Sequence, residues 1–330
     1  MARIKIVRKR IPELTEEISP ELDEFIIRHG GSPFHEIAFN RIAAEYFGTD
    51  AIVVLAYEAK EKLVGICIIH YKNRGMLRIG YSGLCNNEVP YGGWIYNPEA
   101  VGIADLMHYT TAGWNEKIYY YTNVCLKPEP YYKHAGFDEK STVVVDLSKD
   151  LDEYFEQGIN SHTRNKIRKA QKSGVEVKHL APDEMFKFQG LSGELKDRLG
   201  MPNEFEFYRR IYQHFNSQNR GTCIAAVYDG EIISAGIMLS NPNLSVGWVA
   251  ARKNDLPSSL YQNELLFWES IVWSKEKGCR YFDLSGLEEQ RLPHLARIKL
   301  SISKDVRHFY ATTFQNLPVR VLNRIQGIRG

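Results

Sequence analysis

The chain has 330 residues, a formal net charge of +2 and a pI near 8.1. That length accommodates two domains of roughly 150 residues each, and so small a net charge excludes a global field for nucleic acid, leaving any basic character local. Hydrophobic residues at 44% and charged residues at 25% describe an ordinary globular composition rather than a disordered or fibrous one.

Five cysteines at scattered positions (67, 85, 125, 223 and 279) form no CxxC pair. They read as reduced, mostly buried thiols, which points to a cytoplasmic protein. The N-terminus lacks the apolar core of a signal peptide. The longest apolar run, Ala51 to Tyr57, is far shorter than the ~20 residues that span a bilayer. No integral membrane segment is expected, and any membrane contact is peripheral.

In chain order, residues 3–10 alternate as a first strand does. Residues 20–30 form an amphipathic helix ended by Gly30. Ser32 and Pro33 are a cap and first residue for a second helix, whose apolar face carries Phe34, Ile37, Ala38, Ile42 and Tyr46. Strands 51–59 and 63–71 make a hairpin, and a further strand over 76–83 runs into a Gly/Pro-rich loop. A helix to about 117, a strand 119–126, a short helix over 129–137 and a strand 142–147 complete a first domain, residues 1–150. A basic helix over 161–173 connects it to a second domain, residues 174–330. There, strand 175–180 and helices 182–198 and 204–216 precede a hairpin of strands 222–228 and 231–239 over the turn Asp229-Gly230. Strand 245–251, a polar loop, helix 261–277, strand 280–284, a last strand near 307–313 and a basic tail follow. The two halves share an order of elements, and a two-fold repeat of an α+β unit suggests a site in the cleft between related domains.

Several segments carry candidate chemistry. On the basic helix, Arg164, Arg168 and Lys172 fall within one face roughly 80° wide, with Ile167 and Ala170 on the other side. Five cations between 164 and 172, with no acid before Glu176, can grip a diphosphate, a tRNA backbone or lipid headgroups, or can form a solvated face. At the end of strand 280–284, Asp283 and Ser285 precede Gly286, where backbone can approach a ligand closely. Asp283 is a candidate base or orienting group, or simply a turn-former. Lys299 lies in an alternating segment, 298–302, and either meets solvent or reaches into a site. The loop 81–94, with three Gly and three aromatics, reads as shaped cover for a cleft, with Tyr91, Gly92 and Gly93 at its border, or as a loop packed by its own aromatics. Motifs for zinc, Walker A, dinucleotide and nucleophile-elbow sites do not occur, so neither a metal nor a resident cofactor is expected.

The order of elements resembles that of the GNAT acyltransferase domain, written twice. With the basic helix between the copies, the chain is similar to the Fem-type (FemAB-like) aminoacyltransferases. The segments that carry this are Ser32-Pro-Phe-His35, Pro90-Tyr-Gly-Gly93, the basic helix running into Gly174-Val-Glu-Val177, Glu276 to Gly286, and Arg297-Ile-Lys-Leu-Ser301. The resemblance implies an α+β fold of two tandem GNAT-like domains, each a mixed, mostly antiparallel sheet flanked by helices. It places Asp283, Ser285 and Gly286 at the acyl-transfer point, matches Lys299 to the family's Phe-Lys motif, and makes Tyr261, Asn263 and Glu264 ligand-facing. It also implies transfer of an aminoacyl group from charged tRNA to a nucleotide- or lipid-linked cell-wall peptide, with phosphates near Arg164 and Arg168.

Acetyl-CoA enzymes of this fold hold pyrophosphate on a Gly-rich turn. The corresponding stretch here has no Gly between Gly247 and Gly278, and the chain also lacks the long coiled-coil arm some Fem-type members use for tRNA. Two other readings therefore stand beside the first. One is acyl-CoA-dependent N-acylation of an amino-sugar or exopolysaccharide precursor. The other is a non-catalytic module that binds a nucleotide-sugar.

Overall fold

The computed structural model describes residues 4–315 apart from 16, 59–60, 84–88, 111, 114, 128 and 254–255. The expected basic C-terminal tail and Cys85 lie outside the described residues. The chain forms two compact units, one of residues 1–140 with 308–330 and the other of 141–307. The boundaries expected at 150 and 173 are thus drawn differently: residues 141–173 belong with the second unit, and the chain from His308 belongs with the first.

In the first unit, β1 (Lys5–Arg10) precedes α1 (Ile18–Arg28) and α2 (Ile37–Phe47). Strands β2 (Asp50–Tyr57), β3 (Leu63–Arg74), β4 (Leu77–Ser82) and β5 (Ile95–Tyr96) follow. Then come α3 (Ile103–Met107), β6 (Glu116–Tyr121) and α4 (Pro130–His134). The second helix starts later than expected. Ser32 and Pro33 open a 3-10 turn over Pro33–His35; of the predicted stripe Phe34 and Ile37 are buried, while the helix proper also buries Phe39, Asn40 and Ala43 and leaves Ala38, Ile42 and Tyr46 half-buried. The helix expected to reach 117 is only α3, because Gly113 and Asn115 break the segment.

Neighbouring strands run β1-β2-β3-β4-β6, and the order ends on residues 311–315 of β13 (Asp305–Gln315). All pairs are antiparallel except β4 with β6, which are parallel. Successive side chains of β2 feed opposite faces. Val53 and Leu55 join α1 and α2 in one core, whereas Val54 and Ala56 join α3 and Tyr120 in the other.

The second unit takes most of β7 (Asp138–Asp146) and holds α5 (Leu151–Glu153), a wider π-type turn over Tyr154–Gly158, and α6 (Ser161–Lys172). It continues with β8 (Glu176–Leu180), α7 (Phe186–Leu199), α8 (Phe205–Ser217), β9 (Gly221–Tyr228), β10 (Glu231–Ser240) and β11 (Leu244–Arg252). It closes with α9 (Gln262–Glu276), β12 (Tyr281–Asp283) and α10 (Pro293–Ile302). The strand order is β8-β9-β10-β11-β12-β7, antiparallel except for the parallel pair β11–β12. Order and sense repeat those of the first unit strand for strand. The repeat differs in one way from the sequence reading: residues 142–147, expected to close the first domain, pair with β12, and β13 closes the first unit instead. Among the described residues no helix is long and apolar enough to cross a membrane.

Candidate functional site

The carboxyl ends of β11 and β12 concentrate the unusual geometry of the second unit. Parallel pairing stops at Val246 opposite Asp283. A bulge at Ile237/Met238 in the β10–β11 ladder bends β11 just beyond. Ser285 then takes a left-handed conformation, with φ of 57°, unfavourable for any residue but glycine.

Three contacts hold Ser285 there. Its N–H donates to Asp283 Oδ1 at 2.8 Å, its hydroxyl donates to the Gly247 carbonyl, and its own carbonyl accepts from Lys299. Lys299 Nζ also donates to the Gly286 carbonyl at 2.8 Å. Thr142 Oγ1 donates to the same Asp283 oxygen, tying the turn to β7. Asp283 is fully buried and Lys299 only 6% exposed. Burial lowers the Lys299 amine to about 8, against the opposing pull of Asp283 and Glu288. At neutral pH it is still mostly an ammonium, and an ammonium has three donors. Two are spent on carbonyls.

The alternating pattern around Lys299 is not a strand but part of α10, and its helical position is what aims the side chain at the turn. The helix is anchored nearby: Ser301 Oγ accepts from Thr163 Oγ1 at 2.8 Å, and the Ser301 carbonyl accepts from the Asn160 N–H. The site therefore includes the first turn of the basic helix.

On α6 the buried face is Thr163, Ile167 and Ala170, as the spacing predicts. The counter-charge that this row of cations requires comes from outside the helix. Arg164 and Arg168 both reach Glu156 in the π-type turn, Arg164 Nε at 3.5 Å, and Arg168 also stacks over Phe155. Arg164 further donates to the Ile159 carbonyl at 2.6 Å. Lys172 is exposed. Lys166 pairs at 2.9 Å with Glu264, which is buried in the first turn of α9. Tyr261 precedes that turn in a left-handed conformation with φ of 47°, and Asn263 is half-buried beside it. The partners Thr142, Glu156 and Gly247 were not singled out in the sequence, since none lies at a spacing that announces the contact.

In the first unit, Tyr91, Gly92 and Gly93 serve packing. Tyr91 is fully buried, with its ring 5.2 Å from Phe309 and 6.1 Å from Phe34. A Cβ on Gly92 would sit 2.2 Å from the Gly83 nitrogen, and Gly93 has φ of 81°. The Gly92 carbonyl accepts from His35 Nε2 at 2.8 Å, and the Gly93 N–H donates to Ser82 Oγ at 2.8 Å. The motifs Ser32–His35 and Pro90–Gly93 thus meet as a buried staple. They present Tyr91 as a core residue rather than a ligand wall. Among the described residues no group of three potential ligands could hold a metal ion.

Comparison with known proteins bears on this geometry. The family model described as acetyltransferase (GNAT) domain matches residues 160–290, the span from the basic helix through the Asp283–Gly286 turn. The match gives this part of the chain the character of an acetyltransferase (GNAT) domain. The whole length of the chain follows the fold of FemX, with a TM-score of 0.68 at 12% identity over 97% of this chain and 99% of that one. A tandem GNAT protein from the clavulanic acid biosynthesis pathway (TM-score 0.52, 11% identity, 94% and 98% covered) and L-PGS from Bacillus licheniformis (0.51, 12%, 94% and 97%) share it. The fold is therefore the Fem-like tandem GNAT arrangement. No curated protein matches by sequence.

Proposed function

We propose that the protein transfers an aminoacyl group from the ester of a charged tRNA to a primary amine on a nucleotide- or lipid-linked cell-wall precursor. The observation that carries this reading is the strained Ser285 turn, fixed by buried Asp283 and a buried Lys299 ammonium. Backbone strain held by several independent contacts marks functional positions. The similarity to FemX supports the choice of chemistry.

In this reading the amine nitrogen attacks the acyl carbonyl, and negative charge develops on the carbonyl oxygen. The third Lys299 donor faces that charge from a low-dielectric surround, where a preorganised cation is most effective. The C–O ester bond then breaks, the ribose hydroxyl leaves, and the proton lost by the amine balances the alkoxide. Asp283, being fully buried and engaged with Thr142 and Ser285, acts as a positioning residue for the turn, not as the base. Ser285 and Gly286 supply the shaped backbone beside the acyl group. Tyr261 and Asn263 border the site at the head of α9.

Arg164, Arg168 and Lys172 hold the carrier's phosphates. Arg168 and Glu156 are 45% and 55% exposed in their side chains. An ion pair so exposed is worth only ~0–1 kcal/mol, so a phosphate can take the arginine from it.

The test is consumption of the aminoacyl ester of charged tRNA in the presence of an amine-bearing precursor, compared between wild type and Lys299→Met. A dependence on both substrates that disappears in the variant supports the reading. No ester consumption by wild type above the spontaneous rate overturns it.

A further inference from the structure

The head of α9 is built against anions. A helix N-terminus ordinarily favours negative ligands, through its free N–H groups and its dipole. This helix is 15 residues long, and no side chain caps it. It is the next α-helix after β11, reached through a 3-10 turn over Ser258–Leu260, and β11 is one strand of the parallel pair β11–β12, whose carboxyl end is the edge where open sheets receive ligands. Yet its first turn contains the buried Glu264 carboxylate, and Glu264 is ion-paired with Lys166 at 2.9 Å. The same ammonium lies 5.4 Å from the Tyr261 ring centroid. The cation at this helix head, Lys166, is held by a carboxylate that would repel a phosphate.

We propose that the Glu264–Lys166 pair is a specificity device, which refuses a pyrophosphate-bearing thioester donor of the acyl-CoA class at the head of α9. The donor admitted is an acyl ester whose phosphates lie away from this helix. This inference rests on the acyl-transfer reading above and sharpens its donor class. Replacing Glu264 by Gln keeps the side-chain shape, removes the repelling charge and frees Lys166. One charge about 5 Å from a phosphate, at an effective dielectric constant near 20, changes affinity on the order of a hundredfold or more.

Calorimetric titration of coenzyme A into the full chain tests this. Wild type is expected to bind more weakly than roughly millimolar, and Glu264→Gln at least about tenfold more tightly, with the gain falling at high salt. Lys166→Met, which leaves Glu264 uncompensated, is expected to show no gain. The paired swap Lys166→Glu with Glu264→Lys retains an ion pair, places the cation in the helix's first turn, and is expected to bind coenzyme A even if the single variant does not fold. Micromolar binding by wild type, equal affinity in wild type and Glu264→Gln, or a gain in Lys166→Met would overturn the proposal. Ester consumption from charged tRNA by wild type is scored separately, so failure of the ester reading leaves the coenzyme A result standing, and the reverse.

Discussion

Two buried histidines make the first unit sensitive to mild acid by a calculable amount. His35 Nε2 donates to the Gly92 carbonyl, and its Nδ1 accepts from the Ser32 hydroxyl and N–H. His70 Nε2 donates to Asn40 Oδ1, and its Nδ1 faces Thr49 Oγ1 at 2.9 Å. Each ring is a neutral tautomer whose acceptor nitrogen already faces a donor, so a second proton would have no partner. Burial depresses both from 6.5 to about 4. The unfolded chain accepts protons that the folded chain refuses. The stability contribution is therefore complete above pH 6.5, declines as pH falls, and is gone below about 4. By pH 5 each histidine has cost about 2 kcal/mol relative to pH 7.5, a large part of a typical 5–15 kcal/mol. Denaturant titrations at the two pH values, read by hydrogen exchange on peptides from β3, should show a loss of about 4 kcal/mol in wild type. In His35→Gln and in His70→Gln about half of that loss should disappear. If the double variant loses as much on acidification as wild type, the depressed pKa values are not the cause.

Further expectations follow from the same contacts. Gly92→Ala would place its methyl against the Gly83 and Ser82 backbone, so it should destabilise by about 3 kcal/mol or more, seen as a fall in Tm with little recovery from neighbouring side-chain changes. Lys299→Met should reduce transfer by a factor of at least ~10², and because it also removes two hydrogen bonds from the Ser285 turn and leaves Asp283 uncompensated it should lower Tm as well, whereas Lys299→Arg, which keeps the cation, should lower Tm less. With its amine lowered to about 8, wild-type turnover at saturating substrate should fall as pH rises through that value, and Lys299→Arg should lose that limb. Arg168→Glu should weaken precursor binding more at low salt than at high salt, measured by competition with a nucleoside diphosphate; an unchanged salt slope would remove the basic helix from the site.

Where local pattern decides, the sequence was legible. The basic helix, its apolar face and the Asp229-Gly230 hairpin needed only period and turn chemistry, and the turn residues are indeed left-handed. The repeat of order was also legible, because each half writes the same alternation. What stayed hidden depends on pairing at a distance. Nothing in residues 142–147 says that they pair with β12, 137 positions or so downstream, rather than beside β6. Glu156 and Glu264 neutralise the basic helix from either side in sequence, so its charge density looked unbalanced when read alone. Lys299 was misread as an alternating segment because Ile298, Leu300 and Ile302 satisfy a period of two, whereas α10 is set by the proline that opens it.

The same strand order produces two different ends. In each unit a parallel pair stops short and leaves its carboxyl edge open. In the first unit the chain fills that edge with its own backbone: the Gly93 N–H takes Ser82 Oγ, the Trp94 N–H takes Tyr120 Oη at 2.9 Å, and Gly92 lies too close to Ser82 for any side chain. Those groups are neutral and mutually satisfied, so they have nothing to offer a reacting carbonyl. In the second unit the edge is closed by a charged pair of residues, Asp283 and Lys299, around a strained serine, and the ammonium retains a donor. Neutral closure stabilises, whereas charged closure under strain stores the field that acyl transfer requires. In the proposed reading the chemistry therefore belongs to the second copy. Exchanging Gly92 or His35 should be read out in stability, and exchanging Lys299 in turnover as well as stability.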